Sequence, residues 1–502
     1  MKRFFLTLVI GSLLVGLTGQ SCTGPVNDAA AQKDGTRPIV LNYWRAFEGE
    51  DTMRGIIDAY TKLHPNVSIN YRQFSYDEYE QAILEGFAED RGPDLFSIPN
   101  NQVDHYLSKI EPMPAVMKSV VKAKVKSGFQ DKTIYSYQQT AGYTAEDVRN
   151  YFVKTVGDDV LRGEVGKEQI YGLPLSVDPL VLFYNRDLLN NAGIANPPQN
   201  WTEFADQVGK ITVKNPDNDS IMLAGAAFGA GTNVQRAPDI LASIMMQNGA
   251  KMSVENQVAF DAVPPNITAP GVYPSVDALR FYIDYASEGK ATYTWSAAQP
   301  DSFDAFAQGR VAMFFGYSYH AAQLRDKAPR LRVGVVPIPQ LQAGVANRVT
   351  AANYWVETVA KKSAEKATAW DFVRFAASAD AVNKDFAVLD AQKKKSPAQN
   401  LAPAFTDLAD IPVVSYLQAT SKPTALNRLI ASQARDGAMV PYVSELTYAT
   451  NWYHGRDAKA SEQAFVDMIT EALGSRGGSV SDEASRLQAI VSKAAQAVRA
   501  TY

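Results

Sequence analysis

The sequence predicts an α/β protein that begins with a parallel sheet covered by helices. Short apolar runs of strand-forming residues lie at 39–44, 67–71 and 93–98, and they alternate with amphipathic stretches at 53–63 and 76–88. Strands that alternate with helices in this order form parallel sheets, because each helix returns the chain to the same end of the sheet. The first hundred residues therefore predict a β-α-β-α-β unit.

The remaining sequence continues the mixture of strands and helices. Residues 111–169 are polar and helix-biased with weak strand signals, and helical periodicity dominates from residue 363 onward. No fixed-period repeat is present in the sequence, which argues against a solenoid or a propeller. The spacing of apolar residues predicts strands at 180–184, 311–315 and 331–336, and helices at 186–192, 200–211, 277–288 and 303–309.

Length and composition indicate a globular protein of two or more domains. The chain has 502 residues, of which 46% are hydrophobic and 20% charged, with a formal net charge of −4. That length exceeds what a single hydrophobic core usually supports. The slightly negative charge predicts no nucleic-acid partner. A single cysteine rules out an internal disulfide framework and a cysteine-based zinc cluster, and we expect no cofactor or metal.

The first 22 residues are typical of an export signal. Lys2 and Arg3 precede an uncharged, mostly apolar run at 4–17, which is too short for a stable membrane span. Cys22 follows in a setting that resembles a bacterial lipobox, although Gly19 stands where leucine is preferred. We expect a lipid anchor on Cys22; the alternative is a simple cleaved signal in which Cys22 is incidental. Residues 23–38 are predicted to be a flexible tether.

Three separated blocks of the sequence resemble the bacterial extracellular solute-binding proteins of the maltose-binding type, family 1. The most specific block reads Tyr-Gly-Leu-Pro at 171–174, Phe-Tyr-Asn-Arg-Asp-Leu-Leu at 183–189 and Ala-Gly-Ile at 192–194. The other blocks contain Leu-His-Pro-Asn-Val at 63–67, Pro-Asp-Leu-Phe at 93–96, Gly-Arg-Val-Ala-Met at 309–313 and Val-Gly-Val-Val-Pro at 333–337. Together they span roughly residues 39–375 in the family's order.

The resemblance implies a two-lobed, periplasmic-binding-protein-like fold of type II, with the ligand in a cleft between the lobes. We expect the first lobe at 39–176 plus 311–350 and the second at 177–310 plus 351–502. The implied function is capture of a carbohydrate outside the membrane and its delivery to the permease subunits of an ABC importer. The protein would be a monomer, held at the membrane by its lipid anchor, and would not be an enzyme.

Two departures from the family pattern limit this comparison. The region at 111–169 is longer than the family usually has before its Tyr-Gly-Leu-Pro motif. The Ala-Ala-Asn-Tyr-Trp sequence at 351–355 replaces a glycine-rich segment. The sequence after about residue 400 has no clear counterpart in the family.

Candidate ligand-binding residues follow from strand ends and from matching positions. Sugar capture needs flat aromatic faces for the ring and polar groups for the hydroxyls, and ligands of open α/β sheets gather beyond the carboxyl ends of strands. We assign Tyr184, Trp201 and Trp370 to core packing. The residues predicted to bind ligand are Trp44, Glu48, Asn100, Asn101, Asp178, Trp295, Tyr317, Tyr319 and Trp355.

Two other functions remain open from the sequence. A secreted hydrolase acting on glycans is one, because Gly-Tyr-Ser-Tyr-His at 316–320 is similar to a nucleophile elbow, with His320 in place of the closing glycine. No metalloprotease His-Glu-x-x-His pair is present. A sensor or adhesion protein that reuses the binding fold is the other, because a fold alone does not fix function.

Overall fold

A computed structural model describes residues 28–46, 49–127, 130–341, 348–377, 440–475 and 480–502. The chain is described in three stretches, of which the first is residues 28–174. The strands of this first stretch are β1 Ile39–Ala46, β2 Val67–Phe74, β3 Leu95–Pro99, β4 Ile110–Glu111, β5 Val116–Ser127, β6 Gln130–Ala141, β7 Leu161–Arg162, β8 Gln169–Ile170 and β9 Leu173–Pro174. Its helices are α1 Ala29–Thr36, α2 Glu50–Leu63, α3 Tyr76–Ala88, α4 Val103–Tyr106, α5 Ala145–Tyr151 and α6 Lys154–Val160, with a 3₁₀ turn at Asn100–Gln102.

The second stretch contains the second sheet. Its strands are β10 Val181–Asn185, β11 Val213–Lys214, β12 Ile221–Leu223, β13 Ser253–Val254, β14 Gln257–Val258, β15 Met313–Gly316 and β16 Val333–Pro337. Its helices are α7 Arg186–Asn191, α8 Trp201–Ile211, α9 Ala237–Gln247, α10 Pro274–Asp284, α11 Ser302–Ala307 and α12 Ser318–Lys327.

The third stretch crosses back to the first sheet and then ends in helices. It consists of β17 Thr350–Ala351, β18 Trp355–Ala360, α13 Lys366–Ala376, α14 Val440–Glu445, β19 Ala449–Thr450, α15 Ala458–Gly474 and α16 Val480–Arg499. Helices α15 and α16 pack on each other and on α9 and α10 of the second stretch.

The first sheet confirms the predicted β-α-β-α-β unit. Its strand order is β2-β1-β3-β18-β4, with β9 beside β18. Strand β1 is parallel to both β2 and β3, whereas β18 runs antiparallel to β3. Leu41 and Tyr43 point into the core from β1, and Phe96 does so from β3. This sheet, with helix α13 packed on it, forms the first lobe.

The second sheet is small and antiparallel. Strand β10 lies between β15 and β16 and pairs with both. An aromatic cluster fills the core of this lobe, in which Trp201 and Phe204 from α8 pack against Phe228 and Phe315 at ring-centroid distances of 5.2–5.9 Å. The prediction that Trp201 is a core residue is therefore confirmed.

The strand pairing corrects the expected division between the lobes. Residues 313–337, expected in the first lobe, pair with β10 in the second sheet. Residues 355–360, expected in the second lobe, pair with β3 in the first sheet. The reason is that β10 and β3 are buried strands that need a hydrogen-bonded neighbour on each side. Residues 313–337 provide both neighbours of β10, and residues 355–360 provide one neighbour of β3.

Two local expectations are also wrong. Residues 116–141, within the region predicted to be helix-biased with weak strand signals, form the long hairpin of β5 and β6, because β-branched and aromatic residues alternate with polar ones there. Residues 29–36 of the expected tether form helix α1, whose first turn is capped by the Asp28 carboxylate. No helix in the described part of the chain is long and apolar enough to cross a membrane.

Candidate functional site

Tyr319 lies in a recess between the two lobes. Protein surrounds the ring closely enough that burial raises its pKa, while Arg236 opposes the shift and Asp178, Asp239 and Tyr76 add to it. The side chain nevertheless keeps 44% of its surface exposed. Close surroundings combined with an open face are characteristic of a residue that lines a cleft. Tyr76 belongs to the first lobe, so this recess lies between the lobes.

Aromatic rings form the wall of the recess on the first lobe. Tyr76, the first residue of α3, is 56% exposed. Its ring meets Trp355 edge-on at 6.4 Å, and Trp355 meets Tyr79 at 5.6 Å. Trp355 is the first residue of β18 and lies opposite Pro99 of β3. Both aromatic faces are thus positioned by strand β18 and the start of α3.

A charged and aromatic cluster forms the wall on the second lobe. The Asp239 carboxylate accepts hydrogen bonds of 2.7 Å from the Tyr317 hydroxyl and from the indole of Trp452. Arg236 contacts Asp239 at 2.7 Å and Glu462 at 3.0 Å. The Arg236 side chain is only 23% exposed, and its two carboxylate neighbours help raise its pKa although burial opposes this. The cluster fixes a guanidinium and a carboxylate at the recess.

Asp178 joins the crossover at 174–181 to the start of α12. Its carboxylate accepts hydrogen bonds from the Ser318 backbone N–H at 2.9 Å and from the Ser318 hydroxyl at 2.7 Å. Burial raises the pKa of Asp178 to about 7, although the bonds from Ser318 act in the opposite direction. Asp178 therefore titrates near neutral pH.

Asp159 is the centre of a buried network beside the crossovers. It is fully buried, and its two oxygens accept bonds from the Asn100 amide at 2.9 Å, the Tyr354 hydroxyl at 2.5 Å, the Asn451 amide at 3.0 Å and the His454 imidazole at 2.9 Å. These partners come from β3's carboxyl end, the return crossover and the C-terminal segment. Such a satisfied network fixes these segments relative to one another.

Residues 47–383 match the family described as bacterial extracellular solute-binding protein. The chain belongs to this family. Among curated relatives, a putative binding protein of Brucella abortus is 27% identical over 201 residues, which cover 39% of this chain and 44% of the relative. The maltodextrin-binding protein of Bacillus subtilis is 25% identical over 45% of this chain and 50% of its own length. This solute-binding protein thus spans about half of the length of these relatives.

Solved structures of sugar-binding proteins share the fold. The cyclic alpha-maltosyl-1,6-maltose binding protein of Arthrobacter globiformis has a TM-score of 0.61 at 16% identity, covering 92% of this chain and 99% of that one. An ABC transporter solute-binding protein of Thermotoga lettingae, bound with tagatose, has a TM-score of 0.57 at 17% identity and the same coverage. The two-lobed type II architecture is therefore confirmed for this solute-binding protein.

The structure brings four of the predicted site residues to the recess or its edge: Asp178, Tyr317, Tyr319 and Trp355. Tyr319 and Trp355 offer partly open side chains to the recess of this solute-binding protein. Tyr317 is fully buried, and it stacks on Tyr319 with ring centroids 6.2 Å apart. Tyr317 therefore supports the wall of the recess from behind.

The other predicted site residues lie elsewhere or outside the described residues. Trp44 packs on Phe74 at 5.0 Å between β1 and α3. Trp295 is fully buried and donates its indole N–H to Asn233 at 3.1 Å, so it is not available to a ligand in this structure. Asn100 belongs to the Asp159 network, and Asn101 lies half-buried in the adjoining turn. Glu48 and Cys22 fall outside the described residues.

Sequence reasoning missed Tyr76, Arg236, Trp452 and Glu462. Tyr76 is the first residue of α3, and only the structure shows that its ring is exposed there. Arg236 has a signal that only the backbone reveals: its φ is 59°, in the left-handed region that non-glycine residues rarely adopt. Strain of this kind concentrates at functional sites. Trp452 and Glu462 lie in the C-terminal part, where no family motif could be matched.

The residues at 316–320 do not form a Ser-His-Asp arrangement. The Ser318 hydroxyl donates directly to Asp178. The His320 ring accepts from the Tyr317 N–H at 2.9 Å through Nδ1, and its Nε2 lies 2.8 Å from Gln235. Burial lowers the pKa of His320 to about 3, which keeps the ring neutral. Both ring nitrogens are occupied, so His320 is not poised to take the proton of Ser318.

Proposed function

We propose that this protein captures a carbohydrate in the recess between its lobes and delivers it to an ABC importer, with no chemistry of its own. The observation that carries the proposal is the pairing of open aromatic rings, Tyr76 and Trp355 on one lobe and Tyr319 on the other, with the Arg236–Glu462 ion pair. Rings pack against the apolar faces of a sugar, and a charged pair can hydrogen-bond its hydroxyls.

The names of the relatives support the same ligand class. The Bacillus subtilis relatives are named for galactooligosaccharides and for maltodextrins. Structural neighbours were solved with tagatose and with maltotetraose. The ligands differ in size, but all of them present hydroxyl groups and ring faces. We infer a sugar or an oligosaccharide for this chain.

We also propose that the protein is exported and anchored by lipid on Cys22, and that it acts as a monomer beside its permease. The family's extracellular character supports this placement. Mass spectrometry of the N-terminal peptide would check it: a diacylglyceryl group on Cys22 is expected, and an unmodified N-terminus created at another position would reject the anchor. The Cys22→Ser variant should be released into the soluble extracytoplasmic fraction.

A thermal-shift screen tests the ligand class. The panel contains monosaccharides, linear and cyclic oligosaccharides, polyols and amino acids. A true ligand at 100 times its dissociation constant should stabilise the fold by about 2.7 kcal/mol. We expect stabilisation by at least one sugar, together with a change in intrinsic fluorescence from Trp355 or Trp452. Stabilisation by a non-sugar alone would reject the carbohydrate assignment and leave the binding fold in place.

A further inference from the structure

The β5–β6 hairpin concentrates positive charge in a protein that is negative overall. Residues 118–132 contain five lysines and one aspartate, whereas the whole chain has a net charge of −4. The side chains of Lys118, Lys122 and Lys132 are exposed. None of these three has an ion-pair partner among the described residues, so their charges are available to an outside partner.

The hairpin has an inner and an outer face. On the inner face, Met117 and Ser119 are buried, and strand β5 packs against helix α13 of the first lobe. Lys118 and Lys122 fall on the opposite face by strand alternation. The Lys118 ammonium lies 3.3 Å from the centre of the Tyr137 ring, and that of Lys122 lies 5.9 Å from the Tyr135 ring. These contacts orient the lysine stems without neutralising their charge.

Helix α1 is fastened to the outer face of the same hairpin. The Asp28 backbone N–H donates to the Tyr135 carbonyl at 3.1 Å, and the Tyr137 hydroxyl donates to Asp34. A side-chain carbon added to Gly35 would lie 2.8 Å from both Tyr135 and Val120, so the helix sits directly on the strands. The start of the described chain is therefore fixed at the hairpin.

The chain between Cys22 and this fixed point is short. Five residues lie between Cys22 and Asp28, and the six extended residue steps between these two positions reach at most about 22 Å. The expected tether ran to residue 38, but helix α1 removes its second half. A lipid anchor on Cys22, which belongs to the function proposed above, would thus hold the hairpin within about 22 Å of the bilayer.

We propose that the outer side of the β5–β6 hairpin, where the exposed Lys118 and Lys122 lie beside helix α1, is a membrane-contact surface that binds anionic phospholipid headgroups. Lysines near an anionic leaflet each contribute about 1 kcal/mol of attraction, or about a fivefold change in partitioning. The anchor supplies permanent attachment, and the hairpin orients the first lobe on the surface. An acidic protein surface would fit the same charge, but the short reach to the anchor favours the lipid.

Vesicle sedimentation tests this surface without the anchor. The protein is residues 23–502, which retain every described residue. The vesicles are phosphatidylcholine alone or phosphatidylcholine mixed with phosphatidylglycerol. We expect binding only to the mixed vesicles at low salt. The binding should fall as the Debye length shrinks from about 30 Å at 0.01 M to about 8 Å at 0.15 M salt.

A charge-matched pair of variants assigns the binding to the hairpin. Replacing Lys118 and Lys122 by glutamine should lower partitioning roughly twentyfold, at about fivefold for each lysine. The control replaces Lys210 and Lys251, which are exposed on the second stretch, and should bind as wild type does. Equal loss in both variants, or no binding of the wild type to anionic vesicles, would overturn the proposal. Ligand-induced thermal shifts in all three proteins test the proposed function separately.

Discussion

Tyr319 provides a ring surface to the recess without contributing much to the core. Its side chain is 44% exposed, so truncation should leave stability nearly unchanged. Tyr319→Ala should weaken binding of an identified sugar about tenfold, because an aromatic contact contributes on the order of 1 kcal/mol or more beyond its buried area. Titration calorimetry measures the change. Tyr273→Ala, at a 39% exposed ring on α10's N-terminal side, is the matched control and should bind normally.

Asp178 gives the protein a pH-dependent stability. Its pKa is about 7 in the folded state against an ordinary value of 3.8, so between these values the folded state holds the proton more tightly. Its contribution to stability is present at low pH and is lost as the pH rises through 7, by at most about 1.4 kcal/mol per pH unit. Asp178→Asn should therefore gain stability relative to wild type between pH 5 and 8.

Urea unfolding of both proteins at several pH values measures this difference. The comparison cancels the opposite effect of His320, whose lowered pKa makes the fold more stable as the pH rises from acid. A difference in unfolding free energy that stays constant across the range would show that Asp178 ionises normally in the folded protein.

Single residues of the candidate site were predictable from the sequence where they lie beside the end of a strand. Tyr319 and Trp355 were expected because loops after buried strands carry ligands in open sheets, and the structure places both at the recess. Arg236 and Glu462 are 226 positions apart, and no local pattern relates them. Their pairing depends on α15 packing against α9, which a single sequence does not reveal.

Two glycines of the second lobe should respond oppositely to alanine. Gly209 lies within helix α8 and an added Cβ meets nothing within 4 Å. Gly209→Ala should stabilise the fold by about 0.5–1 kcal/mol. Gly225 is different, because an added Cβ would lie 2.5 Å from the Val208 carbonyl oxygen. Gly225→Ala should destabilise the protein, and thermal unfolding of the two variants provides the comparison.

The Asp159 network should be a main attachment between elements. Asp159→Ala removes the acceptor for five side chains, four from three other segments and that of Thr155 within α6. We expect a loss of several kcal/mol, because buried donors would be left without partners. Asp158→Ala is the control, because the Asp158 side chain is 44% exposed and its ion pair among the described residues is the surface pair with Lys154. The variant should lose less than about 1 kcal/mol of stability. Similar losses in both variants would contradict the assignment.

The β5–β6 hairpin shows where reading elements from sequence failed. With lysines at 118, 122, 124 and 126, the apolar–polar alternation that predicts a strand is weak in β5, and only residues such as Val121 and Val125 support it. The strands pair with each other and with no other strand of the described chain, so they lack the continuous apolar runs that mark the central strands. In contrast, β3 and β10 were predicted correctly because they are buried on both faces, and β1 because one face is buried and the run of strand-forming residues is continuous.

Lobe closure should depend on a charge pair that bridges the recess. Lys459 of α15 contacts Glu80 of α3, so the pair joins the second lobe to the first. An exposed pair contributes at most about 1 kcal/mol, and a pair that stabilises the closed form raises the apparent ligand affinity by up to the same amount. Lys459→Glu should weaken sugar binding several-fold.

The reversed pair is the control for this prediction. Lys459→Glu combined with Glu80→Lys restores opposite charges and should recover most of the affinity. If the double variant binds as weakly as the single one, the contact between α15 and α3 does not contribute to closure. Calorimetric titration with one identified sugar compares all three proteins.

The two-lobed architecture was predictable because the order of the motif blocks implied it, but the division between the lobes was not. The sequence motifs mark strands at 311–337 without saying which sheet they join. The sheet that β15 and β16 join is decided by their hydrogen bonds to β10, which form only when the folded chain brings these strands together. Residues 355–360 likewise join the first sheet through their hydrogen bonds to β3, which the sequence does not indicate.

The position of β18 has a consequence for the order in which the chain can fold. The second sheet is built from residues 181–337 alone, whereas the first needs a strand at 355–360 between β3 and β4. Pairings over long sequence separations form slowly, because a large loop must be closed first. The first sheet should therefore be completed after the second sheet. If the chain is exported from its N-terminus, the first sheet would stay without its strand between β3 and β4 until residue 360 has crossed the membrane.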